Sequence, residues 1–394
     1  MIFFWSWVTA SLIAVIGCIY LIVGAVLVGR FGRGRFGRGR FPQSRSLGQP
    51  TPAVTMLRPL HGDEPGLDEN LLTFCRQNYP GPIQVVCGVA DPTDAAIAAV
   101  QRLHNSLPGR DFDLVVNSIQ RGRNRKISNL TNMEPSIRHP VVVLADSDIR
   151  VDPDYLARVV SELEQPGVGA VTCLYYGDAL GGFWSKLLAL DINSHFLPNV
   201  IVGIALDLTR PCFGSTIALR RETLVAIGGF KTFADYLADD YAIGLAVRAH
   251  GGKVSIPPFA VAHMCSQDSA KEIWQHELRW ARTIRSIDPL GYAGQLFSHP
   301  FAWASLAALS AGSQPTILAA LAIAVASLGC RAILLKQVQQ VFGLPRQSYW
   351  LVPARELMSF VVFVAGVVGR RVSWKAHLYR ATSGGRALAD RETK

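Results

Sequence analysis

The sequence predicts an α/β fold built on a mostly parallel, nucleotide-binding-like sheet, with transmembrane helices on its N- and C-terminal sides. Three observations predict it. Short apolar runs alternate with helical stretches from residue 53 to about 171, the pattern of parallel strands joined by crossover helices. Residues 2–29 are almost wholly apolar, with no charge before Arg30, which is long enough to cross a bilayer. The β-branched run from Val141 to Ala145 ends in Asp146-Ser147-Asp148, at the strand end where open α/β sheets bind their ligands.

Composition agrees with a membrane-bound chain. Of 394 residues 49% are apolar, and the mean hydropathy of +0.24 exceeds what a soluble α/β protein needs. A net charge of +10 suits nucleic acid, anionic lipid or a phosphorylated substrate, and only its placement chooses among them. Seven cysteines stand singly at 18, 75, 87, 173, 212, 265 and 330 with no CxxC pair. That describes reduced thiols rather than a disulfide frame or a zinc site.

Residues 1–29 read as a retained transmembrane anchor. The stretch lacks an early positive charge, and its apolar core is longer than the roughly 7–15 residues of a cleaved leader. Residues 30–50 form a basic Arg/Gly linker, in which Phe-Gly-Arg-Gly-Arg occurs at 31–35 and again at 36–40 with six arginines and no acid up to residue 45. Directly after a membrane helix, this segment fixes orientation by the positive-inside rule and touches the anionic membrane surface, so no nucleic acid is needed to explain it. The N-terminus is then outside and the following residues cytoplasmic.

Residues 51–290 carry expected strands at 53–57, 83–90, 114–116 and 141–145, and expected helices at 67–77, 93–107, 126–134 and 155–163. This region has neither GxGxxG nor GxxxxGK[ST], which argues against a dehydrogenase and a P-loop kinase. Residues 291–335 are expected to form a transmembrane hairpin, broken at Gly312-Ser313-Gln314-Pro315. In 336–394 a cytoplasmic loop leads to a third apolar segment, 357–368, whose dozen residues fit an interfacial or re-entrant segment as well as a span. Arg370, Arg371, Lys375 and Arg380 follow it, and a full span would carry this basic tail outside, against the positive-inside rule.

Four clusters carry candidate chemistry. Asp152 before Pro153 reads as the N-cap and first residue of the next helix, which leaves Asp146 and Asp148 spare. Two hard oxygen ligands at a strand end suit Mg²⁺ or Mn²⁺ shared with substrate phosphates. Asp91 ends a strand before Pro92 and reads either as a cap, with Asp94 in the first turn, or as a ligand-facing group. Asp239 and Asp240 precede a helix over 242–249. One would suffice as a cap, and adjacent carboxylates raise one pKa, as a general base requires. On a helix over 269–287, His276, Arg279 and Trp280 share one face. That face suits either a solvated amphipathic helix beside the membrane or an arginine for a pyrophosphate and a tryptophan for a sugar ring. Residues 182–208, apolar but broken by His195 and Pro198, read equally as lipid entry or as ordinary core.

The order Asp91, Lys126-Ile-Ser-Asn-Leu130, Asp146-Ser-Asp148-Ile-Arg150, Asp239-Asp240-Tyr241 and Arg279-Trp280, with Leu57-Arg-Pro-Leu-His-Gly62 on the first strand, resembles the ceramide glucosyltransferase family, glycosyltransferase family 21. The run 283–292 with Ser298-His-Pro300 resembles its bacterial hopanoid-biosynthesis branch. The resemblance implies a GT-A-type domain and an inverting transfer of one sugar from a UDP-sugar donor, UDP-N-acetylglucosamine or UDP-glucose, to a lipid acceptor, a hopanoid or ceramide. It implies a multi-pass protein, in a bacterial inner membrane, with its catalytic domain cytoplasmic. By position it makes Asp91 a uridine contact, Lys126 and Asp146 donor contacts, Asp146 and Asp148 the ligands of a divalent metal, and Asp240 the general base. Arg279 and Trp280 would close over the diphosphate and the sugar or acceptor. His276 stands where the family motif has Gln or Arg, and its imidazole can still donate to phosphate. The rivals are a processive polysaccharide synthase, which needs a channel of more spans, and a non-catalytic membrane scaffold.

Overall fold

The computed structural model describes residues 2–34 and 51–369, with the strands at 371–374, 377–381 and 387–389. Most of the basic linker, and Arg370 and Lys375 of the tail, lie outside these residues. The described chain divides into an α/β unit, 51–180 and 211–266, and a helical unit, comprising the residues up to 34, 181–210 and 267–369. The residues expected to complete the catalytic domain at 181–210 and 267–290 therefore belong to the helical unit.

In chain order, α1 (Ile2–Gly32) precedes β1 (Val54–Pro59), α2 (Leu67–Cys75), β2 (Ile83–Val89), α3 (Ala96–Ser106) and β3 (Asp111–Val116). Then come α4 (Arg125–Met133), β4 (Val141–Leu144), β5 (Ile149–Arg150), α5 (Tyr155–Leu163), β6 (Val168–Thr172) and β7 (Leu174–Ala179). The helices α6 (Phe183–Asp191) and α7 (Leu197–Ala205) are joined by a π-helical turn, Ile192–Phe196. They are followed by β8 (Ile217–Arg220), α8 (Arg221–Ala226), α9 (Asp239–Ala249), β9 (Lys253–Ser255) and β10 (Ala260–Cys265). The rest is helical: α10 (Ala270–Ile287), α11 (Pro289–Gly294), α12 (Pro300–Ser310), α13 (Gln314–Phe342) and α14 (Val352–Val367).

The main sheet runs β3-β2-β1-β4-β8-β6-β9. Every pairing in it is parallel except those of β8, which is antiparallel to both β4 and β6. β1 and β4 are buried along their whole length, as strands covered on both faces must be. Leu57, Val86, Val142, Leu144, Ile217 and Leu219 of the sheet pack with Ile127, Leu130 and Met133 of α4 and Ile243 and Val247 of α9. At about 1.5–3 kcal/mol per buried aliphatic side chain, this layer fixes both helices on the sheet. A smaller sheet, β5-β10-β7, sets His263 opposite Ile149.

Two local readings of the sequence are corrected. Asp152 does not cap α5: the helix starts at Tyr155, after Asp154, and the Asp152 carbonyl accepts from the Tyr155 amide and from Gln77 Nε2. Helix α9 begins at Asp239 rather than 242, so Asp239 and Asp240 both lie inside its first turn.

In the helical unit α1 and α13 run parallel. Trp7 Nε1 donates to the Thr316 carbonyl at 3.2 Å, and Phe31 meets Phe342 at 6.1 Å near the other end. α12 fits beside them through Ala304 and Ala307, which pack on Ala14 and Ala324 and on Ala10 and Ala320. Such small side chains let helix backbones approach closely. Among the described residues four segments are long and apolar enough to cross a membrane: Phe3–Gly32, Phe183–Ala205, Gln314–Phe342 and Tyr349–Val367. α12, at 11 residues, is not. The expected hairpin of two spans is one short and one long helix, because Pro300 starts α12 late and the turn at 311–313 ends it.

Gly17 allows this close approach: a Cβ there would stand 2.8 Å from the Phe297 carbonyl oxygen and 2.9 Å from Pro300 Cβ. Gly17→Val is expected to cost about 1–3 kcal/mol by overpacking and to lower the thermal midpoint of the detergent-solubilised chain. Gly312→Ala, where a Cβ meets nothing within 4 Å, should leave it unchanged.

Candidate functional site

The site of the α/β unit lies at the carboxyl edge of the sheet. Asp146 and Asp148 follow β4 in a turn whose backbone is held from outside. Arg58, buried on β1 with its guanidinium 3.8 Å over the Phe74 ring, reaches the carbonyls of Ser147 and Ile149 at 3.4 and 3.5 Å. Asn70 Nδ2 donates to the Ser147 carbonyl at 3.1 Å, and the Met264 amide to that of Asp148 at 2.8 Å. With these carbonyls satisfied by neighbours, the turn that presents the two carboxylates is fixed.

Lys126 gathers the acids. Its Nζ lies 2.6 Å from Asp146 Oδ1 and 3.4 Å from Asp239 Oδ2. Helix α4 carries it there because Asn124 caps the helix through the Ile127 amide, while its Nδ2 donates to Asp239 Oδ1 at 3.0 Å and to the Tyr236 carbonyl at 2.9 Å. Asp240 accepts from the Gly214 amide at 3.0 Å through one oxygen and from the Tyr241 amide at 2.8 Å through the other. Gly214 leaves room for this pair, since a Cβ there would stand 2.6 Å from Asp146 Oδ2 and 2.8 Å from Lys126 Nζ and would push these side chains aside.

The electrostatics follow from this crowding. Burial, and then the Asp239 charge, push the Asp240 carboxyl up to about 6, with Lys126 pulling the other way. Burial disfavours the Lys126 ammonium, but Asp146, Asp239 and Asp240 outweigh it and hold the group protonated. A carboxylate poised near neutral pH beside a permanent cation can accept a proton from a substrate hydroxyl.

A divalent metal was expected at Asp146 and Asp148. Among the described residues no group of three or more His, Cys, Asp or Glu side chains is close enough to hold one unaided. The donor set nevertheless fits a cation completed by substrate oxygens. Asp148 Oδ1 is buried with no hydrogen-bond partner, and His263 Nε2 stands 3.4 Å from Asp148 Oδ2. Carboxylate and imidazole together suit Mn²⁺ or Mg²⁺. His263 was missed by sequence reasoning because a single histidine in the apolar strand 260–265 looks like core. Only the pairing of β10 with β5 brings it to Asp148.

Asp91 sits on the same edge, after β2, and is exposed. Hydrogen bonds from the Thr93 hydroxyl, at 2.7 Å, and amide, at 2.8 Å, lower its pKa. Asp94 accepts from the Gly62 and Ala96 amides at 2.8 and 2.9 Å and so ties the first-strand motif to this loop. His276, Arg279 and Trp280 are on α10, in the helical unit. There the His276 and Trp280 rings lie 4.4 Å apart, on one side of the helix, and Trp280 packs on Phe196 at 5.6 Å. The structure thus brings Lys126, Asp146, Asp239 and Asp240 into one cluster, with Asp148 and His263 beside it.

Comparison with known proteins identifies the family and the fold. Residues 9–387 match Glycosyl transferase family 21. Ceramide glucosyltransferase 1 of Caenorhabditis elegans is 25% identical over 220 residues, 56% of this chain and 46% of that protein. An N-acetylglucosaminyltransferase of Rhizobium meliloti (strain 1021) is 22% identical over 244 residues, 60% of this chain and 56% of that protein. The chain therefore spans about half the length of these curated relatives. A mannosyltransferase from Pyrobaculum calidifontis, solved with GDP-Man and Mn²⁺, superposes with a TM-score of 0.50 at 21% identity, covering 91% of this chain and 99% of that one. That likeness establishes the GT-A-like fold. The family match covers nearly the whole sequence, and the chain belongs to glycosyl transferase family 21.

Proposed function

We propose that the protein is a membrane-bound, inverting glycosyltransferase that moves one sugar from a UDP-sugar, N-acetylglucosamine or glucose, to the hydroxyl of a membrane lipid, a hopanoid or a ceramide. The observation that carries this reading is the cluster of Asp146, Asp239 and Asp240 around Lys126 at the sheet edge, in a chain with four helices apolar enough to cross a bilayer. The relatives named as a ceramide glucosyltransferase and an N-acetylglucosaminyltransferase support the two sugars and one of the two acceptors.

In this mechanism Asp240 takes the proton of the acceptor hydroxyl as that oxygen attacks the anomeric carbon. The bond from that carbon to the diphosphate oxygen breaks, its electron pair leaves with UDP, and the configuration inverts without a covalent enzyme intermediate. Lys126 offsets charge on the donor side of the cluster. Asp91 is assigned to the uridine, and His276, Arg279 and Trp280 to the diphosphate and sugar, by the family motif. Asp146, Asp148 and His263 would hold a Mg²⁺ or Mn²⁺ ion, which when bound supplies Lewis-acid neutralisation of the diphosphate. The active part would face the cytoplasm of a bacterium from its inner membrane, consistent with basic residues Arg30 and Arg33 at the end of α1.

Membranes containing the protein, given each UDP-sugar with ceramide or bacteriohopanetetrol, are expected to yield a single-sugar lipid by mass spectrometry. Asp240→Asn should lower that rate by about 10²–10⁴-fold, the usual contribution of a general base. Longer sugar chains would indicate a processive synthase, and no product from any pair would overturn the reading. The rate should fall as pH drops through about 6, where Asp240 gains its proton. Lys126→Met removes the group that lowers the Asp240 pKa, so the acid limb of its pH–rate profile should move to higher pH. Chelation should abolish transfer and added Mn²⁺ restore it, with His263→Ala raising the required metal concentration by about 10–100-fold.

A further inference from the structure

Helix α14 is apolar and, with the turn before it, long enough to cross a membrane, yet its partners do not fit a crossing. It is held at both ends by α10, a helix that carries Lys271, Glu272, Glu277, Arg279, Arg282 and Arg285 and so cannot lie among acyl chains. In the first turn of α14, Arg355 makes a two-pronged pair with Glu277, at 2.6 and 2.8 Å. Beyond its last turn, Arg282 donates to the Val368 carbonyl at 3.1 Å and Arg285 to that of Gly369 at 2.5 Å, with a further bond to Val367. Between them the Tyr292 hydroxyl of α11 donates to the Phe363 carbonyl at 2.6 Å. A crossing would place the two ends of α14 on opposite sides of the hydrocarbon and draw the charges of α10 in with it.

The other face of α14 is apolar and uncovered. Leu357, Val361 and Val364 follow at i, i+4 and i+7 and are 45%, 52% and 46% exposed, Val368 just past the helix end is 69% exposed, and Arg355, Ser359, Val362 and Gly366 are buried. Trp350, 74% exposed just before the helix, is the residue type that marks a membrane–water interface. The start of α14 is also pinned to one level of the bundle. Glu356 pairs with Arg331 at 2.5 Å, in the half of α13 that runs toward Phe342 and lies beside the basic end of α1.

We propose that α14 lies flat in a single leaflet, its Leu357-Val361-Val364-Val368 stripe in the acyl chains and α10 along its aqueous side. This rests on the membrane-bound reading above. It places the family-motif residues Arg279 and Trp280 on a helix laid along the bilayer surface, and keeps Gly369 on the same side as α10.

The test uses the full chain in lipid vesicles, with spin labels on Leu357→Cys, Val361→Cys, Val364→Cys and Val368→Cys. Depth is read from the accessibility of each label to oxygen against a water-soluble nickel complex, and the unsubstituted chain is labelled in parallel as baseline. Leu12→Cys, Ile19→Cys and Val26→Cys, exposed positions on α1, report a span. The expected result is a common, shallow depth at the four α14 positions and a graded depth along α1. A gradient along α14 as well, over the roughly 16 Å that 11 helical residues cover, would overturn the proposal and leave the membrane reading standing. Aqueous exposure at all four α14 positions would overturn it too. The lack of a gradient along α1 would overturn both.

Discussion

A single ammonium group lets three carboxylates share one corner of the sheet edge. Unit charges about 4 Å apart interact by roughly 4 kcal/mol at an effective dielectric of about 20. Asp146, Asp239 and Asp240 could not all stay ionised in a half-buried site without a cation among them. Lys126 supplies it, and its position depends on Asn124, whose side chain both caps α4 and fixes Asp239. Moving that one asparagine would disturb the lysine and one of the acids together. The Asp240 carboxyl, raised but not neutralised, results from this balance between burial and pairing.

Much of the fold around this cluster is legible in the sequence. The strands at 83–90 and 141–145 and the helix at 155–163 were readable because a strand buried on both faces is a continuous apolar run, and such runs are bounded by Asp, Pro and Gly. The pair Asp146 and Asp148 was readable for the same reason, standing where the run stops. What stayed hidden depends on contacts distant in sequence. β8 is four residues long and antiparallel, and nothing in Ile217–Arg220 says which neighbours it bonds. His263 stands beside Asp148 only because β10 pairs with β5. Gly214 looks like any loop glycine until Asp146 and Lys126 close on it. Asp152 misled because Asp-Pro favours a helix start without fixing which residue begins it.

The helical unit shows a different limit. Apolar composition located α1 and α13 but not the early end of α12, since an alanine-rich helix and a lipid-facing one look alike in hydropathy. Nor does it show what Arg331 and Arg355 meet among apolar neighbours. Both are fully buried, and each pairs with a glutamate, Glu356 and Glu277 respectively. Buried ion pairs are poor evidence for stability, because desolvation offsets much of their attraction. They are better understood as fasteners that fix the register of α13 and α10 against α14.

The Gly17 contact makes the first helix part of the fold rather than a tether. α1 meets α12 through alanines and a glycine, shares a hydrogen bond with the start of α13 at Thr316, and donates from Tyr20 to Asn199 of α7 at 2.9 Å. An unrelated hydrophobic helix of equal length would keep the protein on the membrane while leaving a groove between α12 and α13 unfilled. Anchorage and architecture are thus carried by the same residues, so changes acceptable for one function of this helix are screened by the other.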